Sequence, residues 1–313
     1  MKTIIILLVF FSLHNLSFGQ EKLVAITMDD LCYALNGNID KIEKESDLLL
    51  DTITRLDVPV TVFINEKSFI KEGETDRRLS LLKKWIHNPH VTIGNHTYSH
   101  LNYADTEVSV FEDDIIQGEA LTKELLKETD KNLKYFRFPF NCTGKDSVSK
   151  AKIYDFLKRR GYVITPFTIE SADYMYNAVY NEYLKEGNTI AANEIIRKYL
   201  DFTVELFQYF ESVTNRTHGR NIRQIYLCHT NSLNAVSLDE LIPKLKQHGY
   251  SFISLDQALD DKIYQNKDYY SGQYGISWLY RWIENKDERM KLMRQEPEDT
   301  DIVQRYKNLA GSP

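Results

Sequence analysis

Two histidines stand four residues apart in Gly94-Asn95-His96-Thr97-Tyr98-Ser99-His100, directly after the apolar run Val91-Thr92-Ile93. Imidazoles at that spacing on one helical turn point the same way and can share a metal ion. A pair of surface or capping histidines has the same spacing, so the pair alone does not decide. An earlier apolar run ends in Asp29-Asp30. One carboxylate with two imidazoles makes a three-ligand set that leaves a metal position open for water or substrate. The other carboxylate can then act as a base.

Three more segments carry residues able to do chemistry at or just after the end of an apolar run. Arg137 lies among aromatics in Phe136-Arg137-Phe138-Pro139-Phe140. A guanidinium in such company pairs with a carboxylate. Asp29 is the candidate, and a purely structural ion pair is the plainer alternative. Pro139 would fix the chain so that the backbone N–H of Phe140 faces the site. His229 closes Ile225-Tyr226-Leu227-Cys228-His229. An imidazole just past a buried strand serves as a general acid or as a core or cap residue. Asp173, in Glu170-Ser171-Ala172-Asp173-Tyr174, can orient His229 and raise its pKa.

These residues must be positioned by the elements between them. Short apolar runs predict strands over 23–28, 58–64, 91–94, 135–138, 162–167, 224–227 and 252–255. Helical spacing predicts helices over 39–56, 79–86, 106–127, 147–160 and 238–248. Strand–helix alternation indicates parallel βαβ units. Seven strands suit an open doubly wound sheet or an incomplete barrel. In both, chemistry gathers at the C-terminal ends of strands. A mostly helical insertion is expected over about 177–223. A tail over 263–313 is rich in aromatics at its start: Tyr264, Tyr269, Tyr270, Tyr274, Trp278, Tyr280 and Trp282. These either pack a terminal helix or form a rim that stacks on sugars.

The chain has 313 residues, 20 of them Tyr, and a formal net charge of -6. That charge gives no electrostatic case for a nucleic-acid partner. Residues 1–19 read as a secretory leader: Lys2, a short apolar stretch over 4–11, and Ser17-Phe18-Gly19 for cleavage before Gln20. The apolar stretch is too short to span a membrane convincingly, and no cysteine follows it for a lipid anchor. An exported protein, periplasmic or extracellular, is expected, without membrane insertion after cleavage; an uncleaved anchor is the alternative. Residues 20–262 read as the catalytic domain. Cys32, Cys142 and Cys228 are odd in number, so at least one thiol stays free or pairs between chains. Three small buried fillers are expected, with a Cys32–Cys228 bridge open if those strand ends are neighbours.

In this order the five segments resemble the polysaccharide deacetylase family, carbohydrate esterase family 4. The family's first motif, ending in Asp-Asp, is similar to Thr27-Met28-Asp29-Asp30. Its second, His-Ser/Thr-x-x-His, is met by His96-Thr97-Tyr98-Ser99-His100. Its third, Arg-x-Pro-aromatic-Gly, is met by Arg137, Pro139 and Phe140, with Asn141 in place of Gly. Its fourth, Asp-x-x-Asp-Trp, is approximated by Glu170 to Tyr174 with both end residues changed. Its fifth, Leu shortly before His, is seen in Leu227 and His229. The resemblance covers about residues 22–260. It implies a distorted (β/α)7 barrel and one divalent metal, usually zinc, held by Asp30, His96 and His100. It further implies Asp29 as base, steadied by Arg137, His229 as acid, and Tyr174 and Leu227 as substrate contacts. The implied reaction removes acetyl groups from a carbohydrate, N-acetyl favoured over O-acetyl. A non-catalytic carbohydrate binder on the same scaffold is the rival.

Overall fold

The computed structural model describes residues 21–311, apart from 33, 35 and 36; the leader and its cleavage site lie outside them. The strands are β1 (Lys22–Leu31), β2 (Val60–Ile64), β3 (Val91–Asn95), β4 (Tyr135–Phe136), β5 (Val163–Ile164), β6 (Ile169–Glu170), β7 (Gln224–His229) and β8 (Tyr250–Phe252). They form one sheet in the order β5-β4-β3-β2-β1-β7-β6, with β8 on the first residues of β1. All pairs are parallel. This curled half-barrel with helices around it is the distorted (β/α) deacetylase type of fold. β1 lies at its centre, and from Val24 onward every residue of it is buried, as in parallel strands covered on both faces.

Two details differ from the sequence reading. The strand predicted over 162–167 is only β5 (Val163–Ile164), and a further strand that was not predicted, β6 (Ile169–Glu170), lies at the opposite end of the sheet. Residues 165–168 carry the chain from one edge to the other. Two-residue strands have no alternation to read. The last strand sits at 250–252, earlier than predicted, set by its register with Lys22–Val24.

The helices around the sheet are α1 (Ile39–Arg55), α2 (Thr75–His87), α3 (Val108–Gln117), α4 (Ala120–Leu126), α5 (Ser147–Arg159), α6 (Asp173–Lys185), α7 (Thr189–His218), α8 (Ser232–Gln247), α9 (Leu255–Leu259), α10 (Trp278–Arg281), α11 (Lys286–Met293) and α12 (Thr300–Ala310). α1 starts at Asn38, whose side chain accepts the Lys41 N–H, and buries Ile39, Ile42, Leu49 and Ile53. Trp85 of α2 is fully buried and donates its indole N–H to Ser46 Oγ at 2.8 Å. Each such apolar side chain stabilises the fold by about 1.5–3 kcal/mol. α7 sets Phe207 against Tyr226 of β7 and Tyr250 of β8, ring centroids 5.0 and 5.1 Å away. Among the described residues no helix is long and apolar enough to cross a membrane. Cys32, Cys142 and Cys228 are buried free thiols.

The helix predicted over 106–127 is broken at Gly118 into α3 and α4. A Cβ on Gly118 would lie 2.5 Å from the carbonyl carbon of Thr97 and from the Tyr98 nitrogen. Glycine therefore lets this helix pair press on the loop after β3. The contact is fastened by Asp114, whose carbonyl accepts the Tyr98 N–H and whose carboxylate accepts the N–H and O–H of Ser99. Gly118→Ala should cost about 1–3 kcal/mol by overpacking, read as a lower urea midpoint at unchanged slope. An unchanged midpoint would show that the loop yields freely.

Candidate active site

The chemical residues converge where β1, β3, β4 and β7 end. β1 pairs β7 up to Asp29 opposite His229. On its other side the register with β2 shifts between Met28 and Leu31. A bulge re-aims side chains, so two adjacent aspartates both serve one site. Seven described non-glycine residues have positive φ, and six lie at the end of β1 or in the loops after β3, β4 and β6: Asp30, Thr97, His100, Phe140, Asn141 and Ala172. Such backbone costs of order 1–3 kcal/mol per residue and clusters at functional sites. Asn141, where the resemblance has Gly, holds φ 50, which asparagine tolerates better than most residues.

His96 and His100 are not on a helical turn. They lie on the loop after β3, bent by positive φ at Thr97 and His100. Asn95 Oδ1 accepts the Thr97 N–H at 2.7 Å, Thr97 Oγ1 accepts the His100 N–H at 3.1 Å, and Asn65 donates to the His96 carbonyl. The rings nevertheless meet edge to face, centroids 5.1 Å apart. His96 Nδ1 lies 2.8 Å from the Arg137 carbonyl. A carbonyl only accepts, so Nδ1 carries the proton and Nε2 keeps a lone pair. Burial pushes this imidazole down to about 3, so it is neutral, as a ligand must be.

Asp30 Oδ1 is 3.5 Å from His96 Nε2 and 3.3 Å from His100 Nε2. It is buried with no hydrogen-bond partner. Ligand atoms of Asp30, His96 and His100 all lie within 4.8 Å of one another. Tetrahedral ligands about 2.0–2.2 Å from zinc are themselves separated by about 3.3–3.6 Å. The cage therefore fits a divalent cation, and a cation would satisfy the orphaned oxygen.

Beside it, Asp29 Oδ1 accepts from Arg137 Nη1 at 2.9 Å, and its Oδ2 is 3.8 Å from His96 Nε2. Arg137 is fully buried. It also donates to Thr27 Oγ1 and to the Pro166 carbonyl, and lies on the Phe63 ring at 4.5 Å. Burial lowers its pKa, and Asp29 opposes the shift.

His229 and Asp173 form the other half. Asp173 Oδ1 is 2.7 Å from His229 Nδ1; its Oδ2 accepts from the His229 backbone N–H, Asn231 Nδ2 and Asn234 Nδ2. Burial alone would lower the His229 pKa. The charge and hydrogen bond of Asp173, then the charges of Asp30 and Asp29, outweigh it and push the group up to about 10. A bound cation would oppose that rise. Sequence reasoning missed Asn231 and Asn234; a pair of asparagines at i, i+3 directly after a chemical histidine was the available signal, since Asn231 also caps α8. It also gave no role to Glu170. Burial pushes that carboxyl up to about 7, opposed by the His229 charge. It faces a cavity of about 240 Å³ that also takes Glu296.

Phe140 packs its ring on His100, centroids 4.7 Å apart, and Tyr174 lies 6.1 Å from His229. Leu227 is buried within β7. Of the tail aromatics, Trp278, Tyr280 and Trp282 are buried in packing, whereas Tyr274 is exposed.

A family profile described as polysaccharide deacetylase matches residues 18–152. The fold resembles a pseudoenzyme of carbohydrate esterase family 4 from Bacillus anthracis, at 17% identity and TM-score 0.51, over 77% of this chain and 66% of that one. A mutant of a pseudoenzyme of that family with restored activity gives 20% identity and TM-score 0.50, over 77% and 68%. The esterase domain of a multidomain xylanase from the hindgut metagenome of Trinervitermes trinervoides gives 16% and 0.50, over 77% and 91%. No curated protein sequence matches.

The His229 shift has a stability consequence in the metal-free chain. Unfolded, the imidazole releases its proton near 6.5; folded, near 10. Between those values the folded state holds more proton, so stability falls as pH rises. The contribution is complete below about pH 6.5 and gone above about 10. In urea titrations across that window, Asp173→Asn should lose less stability with rising pH than the wild type. Equal slopes would rule out Asp173 as the cause.

Proposed function

We propose that the chain, whose residues 18–152 match a polysaccharide deacetylase profile, is a metal-dependent hydrolase removing acetyl groups from a carbohydrate, N-acetyl on an amino sugar before O-acetyl. The observation that carries this reading is the orphaned Asp30 Oδ1 between two imidazole Nε2 atoms at 3.3 and 3.5 Å. Asp30, His96 and His100 hold one divalent cation, zinc being the proposed ion. When bound it supplies Lewis-acid polarisation of the acetyl carbonyl and makes water more acidic.

The chain's own groups do the rest. Arg137 holds Asp29 by Oδ1, so Oδ2 is the atom that takes a proton from the attacking water. The Phe140 backbone N–H donates to the acetyl oxygen as negative charge develops there. Asp173 pins Nδ1 of His229, which leaves Nε2 to protonate the departing nitrogen as its bond to the acetyl carbon breaks. Acetate and a free amine leave. Tyr174 and Leu227 are assigned to the substrate side. An exported location is part of the same reading and rests on the leader at 1–19.

The binder alternative draws on Glu170 and Tyr174, which depart from the family's Asp and Trp. Yet Asp173 still grips His229, and Arg137 still grips Asp29. A binder needs neither arrangement.

His96→Ala and His100→Ala should each lose stoichiometric metal by elemental analysis while staying folded by circular dichroism. Asp29→Asn should keep the metal and lose about 10²–10⁴ in kcat, measured as acetate release from N-acetylglucosamine oligomers, acetylated xylan and peptidoglycan fragments. Wild-type activity in the Asn variant would remove Asp29 as the base.

A further inference from the structure

Each histidine side of the site continues outward as a short ladder of rings. On one side His100 meets Phe140 at 4.7 Å, and Phe140 meets Tyr274 at 6.5 Å. On the other His229 meets Tyr174 at 6.1 Å, and Tyr174 meets Tyr306 at 5.5 Å. The ladders leave from the ends of β3 and β7, which lie on opposite sides of β1 in the sheet order, β7 next to it and β3 beyond β2. Phe140, Tyr174 and Tyr274 are 45%, 39% and 60% exposed. Tyr306 is half-buried. The inner rings follow β4 and β6. Both outer rings belong to the C-terminal extension, outside the stretch that matches the family profile.

Neither outer ring is a loose surface tyrosine. Next to Tyr274, Gly275 donates its N–H to the Phe140 carbonyl at 2.8 Å. A Cβ there would lie 2.2 Å from Asn141 Cβ, so glycine lets the strap touch the loop that carries Phe140. The Tyr274 carbonyl accepts from the Tyr270 hydroxyl at 2.8 Å. Tyr306 rides on α12, which packs on α6 and is anchored through its capping Asp299 to Tyr176 and Lys198. Two ring pairs, three of whose four rings are exposed, held by backbone and buried contacts are built surfaces, and aromatic faces stack on the apolar faces of pyranose rings.

We propose that Tyr274 and Tyr306 determine specificity by stacking on sugar units to either side of the one being deacetylated. This rests on the carbohydrate hydrolase reading, and its test separates the two. Calorimetry with the full-length protein would compare the pentasaccharides of N-acetylglucosamine and of xylose with the corresponding monosaccharides. The wild type should bind at least one pentasaccharide far more tightly than its monomer. Each of Tyr274→Ala and Tyr306→Ala should weaken that binding about two- to tenfold, and the double variant by their product. Tyr274→Phe and Tyr306→Phe should restore most of it, because the ring and not the hydroxyl makes the contact. A double Ala variant that keeps the wild-type preference, or a wild type that binds no pentasaccharide better than its monomer, overturns the proposal. Ring-dependent binding without acetate release would instead sink the hydrolase reading and leave the ladders standing.

Discussion

The ion pair between Arg137 and Asp29 is the interaction on which the site rests. Burying a guanidinium and a carboxylate costs several kcal/mol per ion, and geometry must repay it. Here Arg137 spends its fork on three elements: Asp29 and Thr27 of β1, the Pro166 carbonyl between β5 and β6, and the face of Phe63 on β2. Its own carbonyl fixes the tautomer of His96 after β3. Gly94 makes the stack possible, since a Cβ there would lie 2.4 Å from the Phe63 ring. One residue directly after β4 thus links the proposed base, a proposed ligand and both halves of the sheet. A neutral substitute would leave Asp29 buried without its guanidinium partner.

The two imidazoles His96 and His229 near that pair are held in opposite protonation states by different means. His96 carries its proton on Nδ1 and is fully buried, so burial decides and the ring stays neutral. His229 is less buried, and Asp173 touches it directly and wins. Separation of neighbouring titratable groups into one that binds a cation and one that carries a proton is the pattern by which acid and base roles are divided. Three N–H groups converge on the second oxygen of Asp173 and fix the carboxylate against His229. The positive-φ backbone at Asp30, Thr97, His100 and Ala172 stores strain in the same loops. In the loop after β3, hydrogen bonds accepted by Asn95 and Asp114 and one donated by Asn65 hold that strain in place.

The sequence showed the strand ends well because chemistry there breaks apolar runs: Asp29-Asp30 after Met28, Arg137 between phenylalanines, His229 after Cys228. It showed the convergence of Asp30, His96 and His100 as well, but for a reason that does not hold. Helical spacing suggested that the two rings align, whereas the loop aligns them through Thr97 and Asn95, residues whose side chains bond locally and leave no periodic trace. The break at Gly118 was hidden for the same kind of reason. Apolar spacing runs through it, and only the approach of Thr97 and Tyr98 explains the glycine. β6 was invisible because two residues have no period. The tail aromatics were ambiguous because composition does not separate a buried Trp278 from an exposed Tyr274.

The sheet's open seam explains why that tail matters to chemistry at all. β5 and β6 are unpaired ends, and exposed strand edges are a liability that proteins cover. The tail covers this one: Trp278 donates its N–H to the Phe167 carbonyl, and Ser277 Oγ donates to the Thr168 carbonyl. Arg281, fully buried, then locks the cover by bonding Asp268 and Thr143 while stacking on Trp278 at 3.9 Å. A segment fixed at the seam by these contacts has little freedom left a few residues upstream. There the strap meets Asn141 and Phe140, at the loop that follows Arg137. Closing the edge and shaping the mouth are therefore one packing problem. A change that loosens Arg281 from Asp268 acts on the site through Gly275, without touching any residue that could hold metal or move a proton.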